Sequence, residues 1–115
     1  GHYAALVQPL TCLEVTCGGD VVSLTVEYRV KCSLASVACT SLVMDEPSLD
    51  SYVVASEDEG AYNDCIRQVK SACRPLHDVS DNDMKELVFK KKNKELELWF
   101  GGSNRTLLLD GTCYT

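Results

Sequence analysis

The chain has 115 residues, of which 45% are hydrophobic and 24% charged. That composition carries enough apolar material to offset chain entropy, which excludes disorder, and the length suits one domain spanning 1–115. A formal net charge of −6 repels polyanions, so nucleic acid is not expected as a partner and only a local basic patch would attract anions.

In chain order, Leu10 to Cys17 reads as a strand that turns at Gly18-Gly19-Asp20 into the clearest strand of the chain, Val22 to Cys32. There Val22, Leu24, Val26, Tyr28, Val30 and Cys32 alternate with Ser23, Thr25, Glu27, Arg29 and Lys31. A period of two with β-branched and aromatic enrichment predicts an antiparallel strand with one wet face. From Ser33 to Ser56 the pattern is mixed. Leu34, Val37 and Ala38 have helical spacing, and Tyr52 to Val54 read as a short strand. Most of this stretch is expected to be irregular, and the acidic segment from Asp45 to Asp64, interrupted by Pro47 and Gly60, to be a solvated loop.

Ser56 and Glu59 have the spacing of a capping box, and Tyr62, Cys65, Ile66, Val69 and Cys73 then recur at helical spacing. The predicted helix runs from Tyr62 to Cys73 and stops at Pro75. Past the turn-rich Asp78 to Asp83, three strands are expected: Lys85 to Lys91, Glu95 to Phe100 and Arg105 to Asp110. Their turns fall at Lys92-Asn93 and Gly101 to Asn104.

Seven cysteines, Cys12, Cys17, Cys32, Cys39, Cys65, Cys73 and Cys113, are spread over the whole chain. Zinc ligands come as close pairs, so this dispersion predicts three disulfides and an oxidising, extracellular location, with the connectivity and the odd cysteine left open. Cys65 and Cys73, two turns apart on the helix, are expected to reach separate partners on the sheet. No run of eighteen apolar residues suggests a membrane span, and the first residues lack the segments of a signal peptide, so a secreted, processed chain is expected.

The predicted fold is therefore α+β, a disulfide-stabilised antiparallel sheet of about five strands with one main helix on a face. Its make-up is similar to that of small secreted effector proteins and extracellular recognition modules, a likeness of composition alone. Two features, the lysine hairpin and Trp99, suggest surface recognition of a protein or glycan, and a sequon agrees with a secretory route. Lys90, Lys91, Lys92 and Lys94 concentrate positive charge at a hairpin tip. Trp99 falls on the polar face of its strand, where an exposed ring is a contact residue. Asn104-Arg105-Thr106 is an N-glycosylation sequon. Other expectations are a hydrolase of nuclease type in which His77 converges with Glu97 and Lys90, and a structural subunit of an extracellular coat. The odd cysteine leaves either a monomer or a disulfide-linked dimer. No motif calls for a metal or cofactor.

Overall fold

The computed structural model describes residues 1–19 and 23–113. Eight antiparallel strands follow one another around a closed barrel: β1 His2–Val7, β2 Thr11–Gly19, β3 Leu24–Cys32, β4 Ala35–Ser48, β5 Ser51–Val54, β6 Glu86–Lys90, β7 Glu95–Phe100 and β8 Ser103–Leu109. The ring closes where Tyr3 and Ala4 of β1 pair with Leu109 and Leu108 of β8. Among the described residues one α-helix, α1 Glu59–Cys73, interrupts the meander between β5 and β6. The expectation of a five-stranded sheet with a helix on one face is thus corrected. All five predicted strands are present, within a residue or two of their predicted bounds. The short strand expected at Tyr52 to Val54 is β5, and β1 and β4 join these to complete the ring. Asp20 and Val22, assigned to the first turn and strand, lie outside the described residues.

Closure follows from alternation. Every second residue of each strand points inward, and the inward set is apolar: Leu13 and Val15 on β2, Val26, Tyr28 and Val30 on β3, Leu96, Leu98 and Phe100 on β7, all buried. Strand β4 keeps this order over its length only because of a bulge. Val26 faces Leu42 whereas Tyr28 faces Cys39, so Thr40 and Ser41 together oppose Glu27, with Ser41 at φ 57°. The extra residue moves the inward parity from Val37 and Cys39 to Leu42 and Met44, and all four are buried. The helical spacing of Leu34, Val37 and Ala38 does not correspond to a helix: Leu34 lies in the β3–β4 turn, Val37 points inward and Ala38 is exposed.

β5 and β6 are short, and α1, which lies between them in sequence, packs against β4 and β3. Cys32 and Cys39 lie on the inward faces of β3 and β4, and their disulfides to Cys73 and Cys65 hold the helix against that side. Its stripe of Tyr62, Cys65, Ile66, Val69 and Cys73 is buried there, as its spacing predicts. The expected capping box does not form. Ser56 opens a short 3-10 turn, and the Asp58 carboxylate accepts a hydrogen bond from the Val43 backbone N–H at 2.7 Å, tying the helix start to β4.

The segment between α1 and β6 is anchored by buried phenols. Tyr28 donates to the Met84 carbonyl at 2.7 Å, and Tyr62 donates to the carbonyls of Asp83 and Asp81 at 2.7 and 2.9 Å. Burial pushes both tyrosines well above the ordinary phenol range, so both remain donors. A third disulfide, Cys12–Cys113, binds the C-terminal segment to the outer side of β2, where both sulfurs pack with Ala4.

Candidate functional site

An eight-stranded barrel has an interior just wide enough to be packed by its own side chains or to hold one small ligand. Here it is packed: Tyr28, Phe100, Leu13, Leu87, Leu96, Leu98 and Leu107 fill it. What is left at the open end is a depression of about 370 Å³ lined by Tyr3, Cys17, Leu24, Tyr52 and Phe89. Phe89 meets Tyr3 and Tyr52 edge to face at 5.7 and 5.5 Å between centroids, which closes the floor. Cys17 is the one free cysteine. Its thiol points inward at this end, and burial pushes its pKa up against the smaller opposing effect of the N-terminal ammonium, so it is mostly protonated and unreactive near neutral pH.

A second concavity is on the outside. A groove of about 770 Å³ runs over the outer face of β5 to β8, with Trp99 and Asn104 at one end and Val53, Val88 and Glu97 along its floor. Trp99 is 48% exposed, as its phase in β7 predicts. The lysine tip lies past the far end of this face. Lys91, Lys92 and Asn93 have φ of 52°, 56° and 66°, which makes the tight turn that presents the side chains. Lys90 is 3.9 Å from Glu97 and Lys91 is 3.3 Å from Glu95, so these two are paired with carboxylates of β7. Lys92 and Lys94 are exposed at the tip. The acidic segment that composition assigned to a loop is instead divided among β4, β5, the 3-10 turn and α1.

A different surface, which the sequence reading passed over, sits at the opposite end of the barrel. The β1–β2 turn and the β3–β4 turn lie side by side there, joined by a hydrogen bond from the Ser33 N–H to the Leu10 carbonyl at 2.8 Å. Leu6, Leu10 and Leu34 line a notch of about 330 Å³ between them. They are 50%, 65% and 94% exposed. Cys32 pairs with Ala35 across a two-residue turn whose first residue, Ser33, has φ 57°, and Leu10 has φ 54°. Both are left-handed conformations that L-residues avoid at a cost of about 1–2 kcal/mol each. The signal was available in sequence as leucines flanking turn residues, but an isolated exposed leucine carries no weight until a second one is placed beside it.

His77 does not meet its expected companions. Its Nε2 lies 2.8 Å from the buried Thr11 hydroxyl, which is itself 2.8 Å from the Pro9 carbonyl. Its ring packs on Phe100 at 5.1 Å. Burial and the nearby Arg105 guanidinium hold its pKa below the ordinary histidine value. Lys90 and Glu97 pair with each other on the outer face of β6 and β7, whereas His77 lies below Phe100 at the inward side. Among the described residues no cluster of His, Cys, Asp and Glu is arranged to hold a metal ion, and no helix is long and apolar enough to cross a membrane.

The cysteines resolve into Cys12–Cys113, Cys32–Cys73 and Cys39–Cys65. Cys65 and Cys73 do reach separate strands. Three disulfides are compatible with an extracellular setting. No family model matches the chain, and neither a curated protein nor a solved structure matches it.

Proposed function

We propose that this is a secreted recognition protein that binds a protein partner through the leucine end of its barrel. The observation that carries this reading is the contrast between a filled interior and three exposed leucines gathered around two turns, each of which holds one residue, Leu10 or Ser33, in a left-handed conformation. A chain gains no stability by holding Leu34 almost wholly in water. Burying such a side chain in a partner contributes about 1.5–3 kcal/mol. Strained backbone that persists where it presents side chains outward supports a binding role. The disulfides support it too: they fix β2, β3 and β4, from which both turns project, so little ordering entropy is lost on association. Lys92 and Lys94, at the far end, supply the steering charge toward acidic surfaces. The Asn104 sequon fits a secretory route and a glycoprotein.

The test is an array of extracellular proteins probed with the parent chain and with a Leu10→Ser/Leu34→Ser variant. Both positions are exposed, so the variant should keep the parent's thermal midpoint. The expected result is a partner whose affinity drops roughly tenfold or more in the variant. A partner bound equally by both chains would remove the leucine end from the contact. Turnover of a nucleic acid or glycan substrate that His77→Ala abolishes would favour a hydrolase instead.

A further inference from the structure

We infer that Asn104 carries an N-linked glycan whose first sugar rests on the Trp99 indole and fills that end of the outer groove. The geometry is local and specific. Gly101 and Gly102, at φ 60° and 93°, form the two-residue turn between β7 and β8, so Phe100 and Ser103 close the hairpin and Trp99 and Asn104 are the next pair. In an antiparallel strand the N–H and C=O of one residue point to the same side. The Trp99 carbonyl accepts from the Met84 N–H at 2.9 Å, on the side away from β8. Trp99 and Asn104 therefore form a non-hydrogen-bonded pair, the closer kind, with Cβ atoms about 4.5–5.5 Å apart. Both side chains point outward and both line the groove. Among the described residues no hydrogen bond engages the Asn104 amide, and Thr106 is exposed two positions on along the same face. Both polar members of the sequon are thus free of structural duties, while Arg105, the residue between them, points inward and donates to the carbonyls of Phe100 and Gly101.

In the transfer, Asn104 Nδ2 bonds to the anomeric carbon of a lipid-diphosphate-linked oligosaccharide and gives up one proton. The bond from that carbon to the diphosphate oxygen breaks, and its electron pair leaves with the diphosphate. The groove has room for the attached sugar, and the indole offers an apolar face to the C–H face of the ring. Trp99, exposed on the bare polypeptide, is then covered by the protein's own modification. This inference is independent of the leucine end, which lies at the turns of β1–β2 and β3–β4.

Trp99 is the only tryptophan of the chain, so intrinsic fluorescence reports this site alone. The chain is secreted from a glycosylating eukaryotic host and its intact mass is measured before and after digestion with peptide N-glycosidase. One glycan is expected, absent from a Thr106→Ala variant. Enzymatic removal from the folded protein should raise acrylamide quenching of Trp99 about twofold or more, and trimming to the first sugar should leave the quenching low. An unmodified Asn104 in the secreted protein overturns the proposal. So does a glycan whose complete removal leaves quenching unchanged, or one whose trimming alone exposes the indole. Because the enzymes act on folded protein, a failure of the Thr106→Ala chain to fold does not affect the reading.

Discussion

Asp83 has no exposed surface, and its two carboxylate oxygens are both used: Oδ1 accepts from the Ser80 hydroxyl at 2.6 Å and Oδ2 from the Gly101 N–H at 2.8 Å. It joins the segment after α1 to the β7–β8 turn. Asp83→Ala leaves the half-buried Gly101 N–H without this partner and is expected to lower the unfolding free energy by about 1 kcal/mol or more in denaturant titration. Asp83→Asn should recover most of this, since an amide can accept from Gly101 and donate to the Ser80 oxygen. Nothing in the sequence distinguishes Asp83 from its neighbours Asp78 and Asp81, because its partner is eighteen residues away. His77 makes a second prediction at this scale. Its folded pKa lies below the unfolded value of about 6.5, so between those two values the unfolded chain binds more protons. The stabilisation from neutral His77 is present above about pH 6.5 and is lost as pH falls through that window. Thermal midpoints of the parent and of His77→Gln, followed from pH 7.5 down to about pH 5, should show a steeper acid decline for the parent. Parallel curves would mean that burial and the Arg105 charge do not hold the ring neutral.

Among the elements, those legible in sequence are the ones whose local pattern runs unbroken. Strand β3 and most of β7 keep period two, β6 and β8 are short apolar runs bounded by turn residues, and α1 keeps its stripe from Tyr62 to Cys73. Strand β4 was lost because Ser41 inserts a residue and reverses the parity halfway along, and because Asp45, Glu46 and Pro47 give its second half the composition of a loop. Strand β1 carries only six residues, with Ala4 and Ala5 at its centre, and its inward partner Leu109 lies at the other end of the chain. Closure is a property of that pairing and has no local signal. The candidate site divides in the same way: the phase of Trp99 was readable within β7, whereas the notch at Leu6, Leu10 and Leu34 needs two turns that are neighbours only in the barrel. The elements also carry the stability prediction. The bridges from α1 to β3 and β4 close segments of 41 and 26 residues, and each restrains the unfolded chain by roughly 3–4 kcal/mol in the chain-entropy description. Removing Cys39–Cys65 by a double change to alanine is expected to cost about 2–4 kcal/mol. Thiol titration of the parent, unfolded without reductant, should find one free group per chain, from Cys17.

The molecule as a whole combines a shape associated with small-ligand transport and an interior that leaves no room for it. A calyx holds cargo when its inward side chains are small or absent near one end. Here the inward residues of β3 and β7 include Tyr28, Leu98 and Phe100, the ring cluster of Tyr3, Tyr52 and Phe89 closes the open end, and α1 packs against β4. Apolar contact surface is consequently found outside, and its densest patch is at the leucine end. The two locations predict opposite responses from one measurement. An apolar fluorescent dye that is bright only when desolvated should bind the native protein weakly, and Leu10→Ser/Leu34→Ser should abolish that binding. Tyr52→Ser, which opens the depression at the other end, should leave the signal of the parent patch intact. If the dye instead binds tightly, ignores the leucine substitutions and is lost on changes at Tyr3 or Tyr52, then the barrel takes ligands through its mouth and the protein is a carrier. The net charge of −6 adds a control, since it opposes self-association of the apolar ends at low salt. Sedimentation at low and high ionic strength would show whether two copies cover the leucines when that repulsion is screened, in which case the dye signal should fall with salt in step with the appearance of dimer.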